Sequence, residues 1–221
     1  EYFWGYENLT TTKSLFAAGA APGAPRHKFS SCSHAQGRIA AKDAIRYLVN
    51  ENPPKGNYDD GAIKKMLDDM VKPMKLYEET VGKSTQPDIN PNYILPKMFM
   101  MRLQKLMDEY AGGVSAQFIT SEANLKRALE LLALLKEDSE KLGAPDLHQL
   151  MRAWENTHRM YQAESHVRAM LFREETRWPG YYMRSDKPKM DNKDWRVFVN
   201  TKYNASTNEW EVKKVPVKYL F

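Results

Sequence analysis

Apolar positions recur at three- and four-residue intervals along most of this chain, and the pattern predicts helices far more often than strands. Residues 97–110 place Phe99, Leu103, Leu106 and Tyr110 at helical spacing and stop at Gly112-Gly113. Residues 121–142 open at Ser121, carry Leu125, Ala128, Leu132, Leu135 and Leu142 on one stripe, and end at Gly143. A third run starts at Pro145-Asp146 and continues toward Arg177, with Leu147, Met151, Trp154, His158, Tyr161, Ala169 and Phe172 facing one way. Short connections between long amphipathic helices predict antiparallel packing, so 97–177 reads as a three-helix-type helical domain.

Upstream the period changes. Leu15-Phe16-Ala17-Ala18 reads as a short buried strand ending at Gly19. A loop with Pro22, Gly23 and Pro25 follows, and from His34 to about Val49 a helix is expected, with Ser33 as N-cap and Ala35, Ile39, Ile45 and Leu48/Val49 near one face. Gly37 weakens that helix relative to alanine, which implies close packing on it. Residues 58–82 predict one or two modest amphipathic helices interrupted by Pro73, and Gln86–Pro96, with three prolines, is the best linker. Near the end, residues 196–200 and 210–213 read as two strands joined by the turn Asn204-Ala205-Ser206-Thr207-Asn208, a C-terminal β-hairpin. The fold class expected is mainly α with minor β, an α+β chain.

The composition supports a folded core: 42% of residues are hydrophobic, with five Trp, twelve Tyr and eight Phe among 221 residues. A formal net charge of +5, from 33 Lys and Arg against 28 Asp and Glu, is a mixed surface rather than a nucleic-acid-binding arm. One cysteine, Cys32, leaves no internal disulfide and fits a reducing, cytoplasmic setting. No apolar run reaches membrane-spanning length. Glu1 opens the chain without a cap, turn or leader, and the text reads as a fragment.

The strongest chemical signal is the helix mouth. The first N–H groups of a helix lack internal partners and the macrodipole adds partial positive charge, so that end attracts an anionic edge. The loop entering it brings Arg26, His27 and Lys28, and the small side chains of Ser30, Ser31, Cys32 and Ser33 allow a planar or anionic group close to the backbone. A serine-capped surface helix is the plainer reading of the same residues. His158 sits on the predicted apolar stripe as a core histidine, whereas His148 and His166 fall off it and read as surface residues. No histidine pair has metal spacing, so no metal is expected. No GxGxxG or P-loop is present.

A strand, a glycine-containing loop and a small-residue helix mouth form the layout by which flavoproteins of the succinate dehydrogenase and fumarate reductase superfamily hold the pyrimidine end of the flavin. Within it, "KSLFAAGAAPGAPRHKFSSCSHAQGRIAAK", "INPNYILPKMFMMRLQKLMDEYAGGV", "DLHQLMRAWENTHRM", "FREETRWPGYYMRSD" and "DWRVFVNTKY" resemble the adenylylsulfate reductase alpha subunits, across nearly the whole chain. The resemblance implies residues 1–52 as the C-terminal piece of a FAD-binding domain, 53–96 as connecting helices and linker, 97–177 as the helical domain and 178–221 as loop and hairpin. It implies reduction of adenosine 5′-phosphosulfate to sulfite and AMP, or the reverse in sulfur oxidation, through a flavin–sulfite adduct, with this chain alone inactive. It implies FAD contacts at Gly19, Ala20, Lys28, Ser30, Ser31, Cys32 and Ser33, a catalytic and substrate-binding His27, and substrate contacts from Lys28 and Arg177. Electrons would come from a beta subunit carrying the iron–sulfur clusters.

Three positions depart from the family pattern. Ala20 stands where an acidic residue usually meets the FAD hydroxyls, Cys32 replaces a glycine, and Gln36 replaces a glutamate. The rivals are a succinate dehydrogenase or fumarate reductase flavoprotein, against which "HKFSSCS" argues, and a non-catalytic helical binding protein.

Overall fold

The computed structural model describes residues 5–21, 29–56, 59–84, 86, 90–177 and 182–217. These contain six α-helices, a short 3₁₀ turn and two two-stranded sheets, the mainly-α chain with minor β that the sequence predicts. The chain divides into two compact units, Glu1–Asp60 and Gly61–Phe221.

The first unit is built on α1, Ser30–Glu51. The preceding segment does not form the expected buried strand. Leu9 and Phe16 make an isolated antiparallel bridge, and Leu15 is exposed. That segment packs on a face of α1 that the apolar pattern did not mark. Ala40, Asp43 and Tyr47 are buried, while Ile39, Ile45, Leu48 and Val49 are exposed. Two polar anchors explain the choice. The Asp43 carboxylate accepts the Glu7 N–H and a bond from Arg46, and the Tyr47 ring meets Tyr6 and Phe16 edge-on at 5.2 and 6.0 Å. Nothing lies within 4 Å of the Cβ that Gly37 would carry, so the close packing expected there is not observed.

The second unit holds the larger core. It is made by α3 (Pro96–Tyr110), α4 (Glu122–Ser139) and α5 (Leu147–Phe172). Serine and aspartate caps start α4 and α5: Ser121 accepts from the Asn124 N–H and Asp146 from the Gln149 N–H. Phe99, Leu103 and Leu106 of α3 meet Leu125, Ala128, Leu132 and Leu135 of α4, as the stripes predict. Burying a side chain such as Phe99 or Leu125 contributes about 2 kcal/mol each.

On α5 the buried face is Ala153, Asn156, Met160, Ala163, Val167 and Met170, rotated from the predicted stripe. Leu147, Met151 and His158 are exposed. Alanines at the helix crossing let the backbones approach, and the buried Asn156 donates from Nδ2 to the Pro96 carbonyl at 2.7 Å while its Oδ1 is left without a hydrogen-bond partner. The helix stops at Phe172 rather than near Arg177.

Helix α2, Asp60–Thr80, runs through Pro73 without interruption and has no buried residue. Trp154 Nε1 donates to the Met70 carbonyl, and the Ala144 N–H donates to that of Pro73, both at 2.9 Å. The end of the proline-rich linker is pinned rather than free: the Ile94 N–H donates to Lys141 and its carbonyl accepts from Gly143.

Beyond α5, β2 (Met183–Arg184) pairs in parallel with β1 (Ile119–Thr120), a ladder too short to show in the apolar pattern. A single turn, α6 (Asn192–Trp195), leads to the hairpin of β3 (Val197–Asn204) and β4 (Glu209–Pro216). Its register pairs Tyr203 with Trp210 and Val197 with Pro216, an antiparallel hairpin longer than predicted but with the same turn.

Candidate functional site

The helix mouth singled out in the sequence is the amino end of α1. The helix begins at Ser30, four residues before the expected start, so Ser30, Ser31, Cys32 and Ser33 form its first turn. Ser33 is therefore not the N-cap: its N–H donates to the Phe29 carbonyl at 2.9 Å inside the helix. Phe29 is the N-cap residue, with extended backbone and no side-chain cap, and the first turn carries no acidic residue. The opening N–H groups of a 22-residue helix thus meet no carboxylate of their own turn, which leaves the positive end of the dipole uncompensated by that turn.

Gly19 adopts φ +71°, and a Cβ there would lie 3.4 Å from Ser33 Oγ. The glycine lets the chain approach the first turn of the helix closely at this point. Ala20 beside it is exposed, as are Ser30 and Ser31, while Cys32 and Ser33 are half-buried. Gln36, one turn on, has a buried Oε1 without a hydrogen-bond partner. The structure brings Gly19 to Ser33. His27 and Lys28 lie outside the described residues.

Arg177 belongs to a different constellation, in the second unit. Glu175 is fully buried and its carboxylate is shared: Arg173 and Arg177 each donate to Oε1 at 2.6 Å, and Arg177 Nη2 and the Asp191 N–H donate to Oε2 at 3.0 and 2.8 Å. Burial pushes the Glu175 pKa up, but these donors outweigh it and hold the carboxyl below the usual glutamate value. Arg173 also donates to the carbonyls of Trp195 and Val197, tying the end of α5 to the start of the hairpin. Arg177 reaches Asn192 as well.

Arg184, 1% exposed, makes a second knot. Its guanidinium donates to both carboxylate oxygens of Asp186 and to the carbonyls of Met170 and Arg173. The Arg184 bonds hold the Asp186 pKa down, against partial burial, at about 2.

Between these knots and α5 lies a cleft of about 330 Å³. Gly112, Ala169 and Val199 supply apolar wall, and His166, Arg173 and Arg177 supply polar edges. Desolvation lowers the His166 pKa although part of its ring meets solvent. His148 is at the surface, as expected, and accepts from Arg152. Among the described residues no group of three or more His, Cys, Asp or Glu is placed to hold a metal ion.

Sequence reasoning missed Glu175, Arg173, Arg184 and Asp186. The available signal was charge density: Arg173-Glu174-Glu175-Thr176-Arg177 and Arg184-Ser185-Asp186 flank aromatic stretches, where solvated charge is not expected.

Residues 100–220 match the family model described as fumarate reductase flavoprotein C-term. The chain belongs to that flavoprotein C-terminal family. The chain is 42% identical over 211 residues to the adenylylsulfate reductase subunit alpha of Megalodesulfovibrio gigas, covering 96% of this chain and 32% of that protein. The solved adenylylsulfate reductase of the hyperthermophilic Archaeoglobus fulgidus superposes with a TM-score of 0.90 at 50% identity, over 97% of this chain and 33% of that one. A structure of adenosine-5-phosphosulfate reductase in complex with sulfite, as a covalent adduct, gives the same values. This family member is therefore homologous to adenylylsulfate reductase alpha subunits and spans about a third of their length. No helix among the described residues is long and apolar enough to cross a membrane.

Proposed function

We propose that this chain is the C-terminal part of the catalytic alpha subunit of an adenylylsulfate reductase, which interconverts adenosine 5′-phosphosulfate with sulfite and AMP. The observation that carries the reading is the likeness to adenylylsulfate reductases at 50% identity over 97% of the chain. Residues 1–52 are then the last piece of a FAD-binding domain, 53–96 the connection, 97–177 the helical domain and 178–221 the loop and hairpin.

The residues at the α1 mouth fit FAD. Four small side chains, no acidic group and no side-chain cap leave the first turn of α1 open to the electron-rich pyrimidine edge of the ring, and Gly19 keeps the loop close to it. FAD, when bound, supplies the electron pair that reduces the sulfur. In this reading the N–H groups at Ser31 and Cys32 and the hydroxyls of Ser30, Ser31 and Ser33 stabilise negative charge on the ring. The Ala20 side chain offers no acceptor to the ribityl or ribose hydroxyls, and Lys28 contributes positive charge toward ring and substrate. His27 orients the sulfate and carries a proton to or from the substrate oxygen. Arg177 reaches substrate only as a guanidinium already oriented by Glu175, so its contribution is positive charge of fixed position. An iron–sulfur beta subunit is the electron donor.

The test uses the complete subunit with its partner. The purified protein should be yellow, and sulfite should bleach the flavin band; a colourless protein, or a flavin band indifferent to sulfite, refutes the assignment. His27→Ala should lower turnover by roughly a hundredfold or more while FAD content stays near wild type, and unchanged turnover removes His27 from the mechanism.

A further inference from the structure

Residues 5–21 are held against α1 at two places. Well along the helix, Asp43, 5% exposed, accepts the Glu7 N–H on Oδ2 and a bond from Arg46 on Oδ1. One turn further, the Tyr47 ring meets both Tyr6 and Phe16. At the mouth, Gly19 comes close to Ser33. Ser33 and Asp43 are ten residues apart on α1, about 15 Å along the helix axis.

A short run of backbone hydrogen bonds joins the two places. Glu7 and Asn8 are the central residues of a turn closed from the Leu9 N–H to the Tyr6 carbonyl at 3.4 Å, with Asn8 at φ +64°. Positive φ at the third position of a turn favours glycine or asparagine. The Asn8 carbonyl is fixed in turn by the Ala17 N–H at 2.9 Å. Thr10 donates to the Leu15 carbonyl at the same distance and Leu9 bridges Phe16, so the loop from Asn8 to Ala17 is closed on itself. Gly19 follows Ala17 by two residues. The route from the buried carboxylate to the mouth therefore runs through the Glu7 N–H, the Asn8 carbonyl, the Ala17 N–H and Gly19 to Ser33.

We propose that Asp43 is a positioning residue for the flavin site: its carboxylate sets the Glu7–Asn8 turn and thereby the approach of Gly19 and Ala20 to the first turn of α1. The inference rests on the reading of that mouth as the seat of the electron-rich pyrimidine edge. Asp43 acts at a distance, through the loop, and not by contact with the ring. Without its carboxylate the part-buried Glu7 N–H has no acceptor, a penalty that the loop relieves by moving its turn toward water. The Asn8–Ala17 bond hands that movement to Gly19, while α1 keeps its own hydrogen bonds. Arg46 contributes little, since its side chain is 61% exposed and an ion pair of that kind is weak.

The experiment uses the complete subunit in its native complex. It reads the rate of FAD release, followed by the rise of flavin fluorescence, and amide exchange between Asn8 and Gly19 in FAD-free protein. Asp43→Ala should speed release by roughly tenfold or more and raise exchange in that stretch. Asp43→Asn keeps an oxygen for the Glu7 N–H without the charge, and should fall between wild type and Asp43→Ala. Arg46→Ala should release FAD at the wild-type rate. Ala41→Gly, on the opposite side of α1 from Asp43, weakens the helix by propensity alone and should lower the thermal midpoint without changing release. Wild-type release from both Asp43 variants overturns the proposal, and so does equal acceleration by Ala41→Gly, which would make the effect one of general stability. If Asp43→Ala does not fold, Asp43→Asn carries the test on the same criterion. A wild type that holds no FAD refutes the reading of the mouth and this inference with it, whereas a yellow wild type with indifferent Asp43 variants refutes this inference alone.

Discussion

Glu175 anchors one of the two charged knots of the second unit. A carboxylate at zero exposure is tolerated because two guanidiniums and a backbone N–H fill its acceptor sites. Glu175→Gln keeps the shape and removes the charge, which leaves Arg173 and Arg177 with one negative partner fewer. We expect a loss of about 3 kcal/mol in denaturant unfolding of the purified subunit, the scale of breaking a buried ion pair. An unchanged midpoint would mean that solvent relaxes into the site. The sequence displayed the composition of this network but not its geometry, because pairing between Glu175, Asp191 and Arg173 depends on a chain reversal that periodicity does not encode. The helix mouth was more legible. Ser30 to Ser33 do sit at the start of a long helix, and only the N-cap was misplaced: Ser33 is an attractive cap by type, yet the backbone at Phe29 already supplies the acceptor for its N–H.

At the scale of elements, α3 and α4 followed their apolar stripes because large aliphatic residues on one face leave one way to pack. On α5 the aromatic and methionine side chains suggested one face, and the alanines Ala153 and Ala163 won another, since close backbone approach favours small residues at the crossing. The face of α1 was lost to polar and ring contacts of Asp43 and Tyr47 with the preceding segment. The stop after α3 was read correctly from its two glycines, and their roles differ. Gly112 takes φ +76°, whereas a Cβ on Gly113 would lie 2.5 Å from the Asp108 Cα, a backbone atom that cannot swing away. Gly113→Ala should therefore destabilise the subunit by about 2 kcal/mol, read as a lower thermal midpoint; a neutral effect would show that the turn shifts without penalty.

For the molecule as a whole, the carboxylates of the two knots, Glu175 and Asp186, set the response to acid. A carboxyl whose folded pKa lies below its unfolded value adds stability above the unfolded value and loses it as pH falls. Arg184 holds Asp186 down from 3.8 to about 2, and Glu175 is lowered as well. Stability of the second unit should hold at neutral pH and decline from about pH 4 toward pH 2. Asp186→Asn should flatten that decline, and an unaltered acid limb would assign the effect elsewhere.

The way Glu175 and Arg184 gather their partners has a further consequence for the continuity of the chain. The end of α5, the Glu175–Arg177 segment, β2, α6 and the first residue of β3 all fasten to the same pair of knots. A protease nick anywhere between Arg177 and Asp191 would leave both new ends moored to common anchors. The severed pieces would travel together through a sizing column and part only in denaturant.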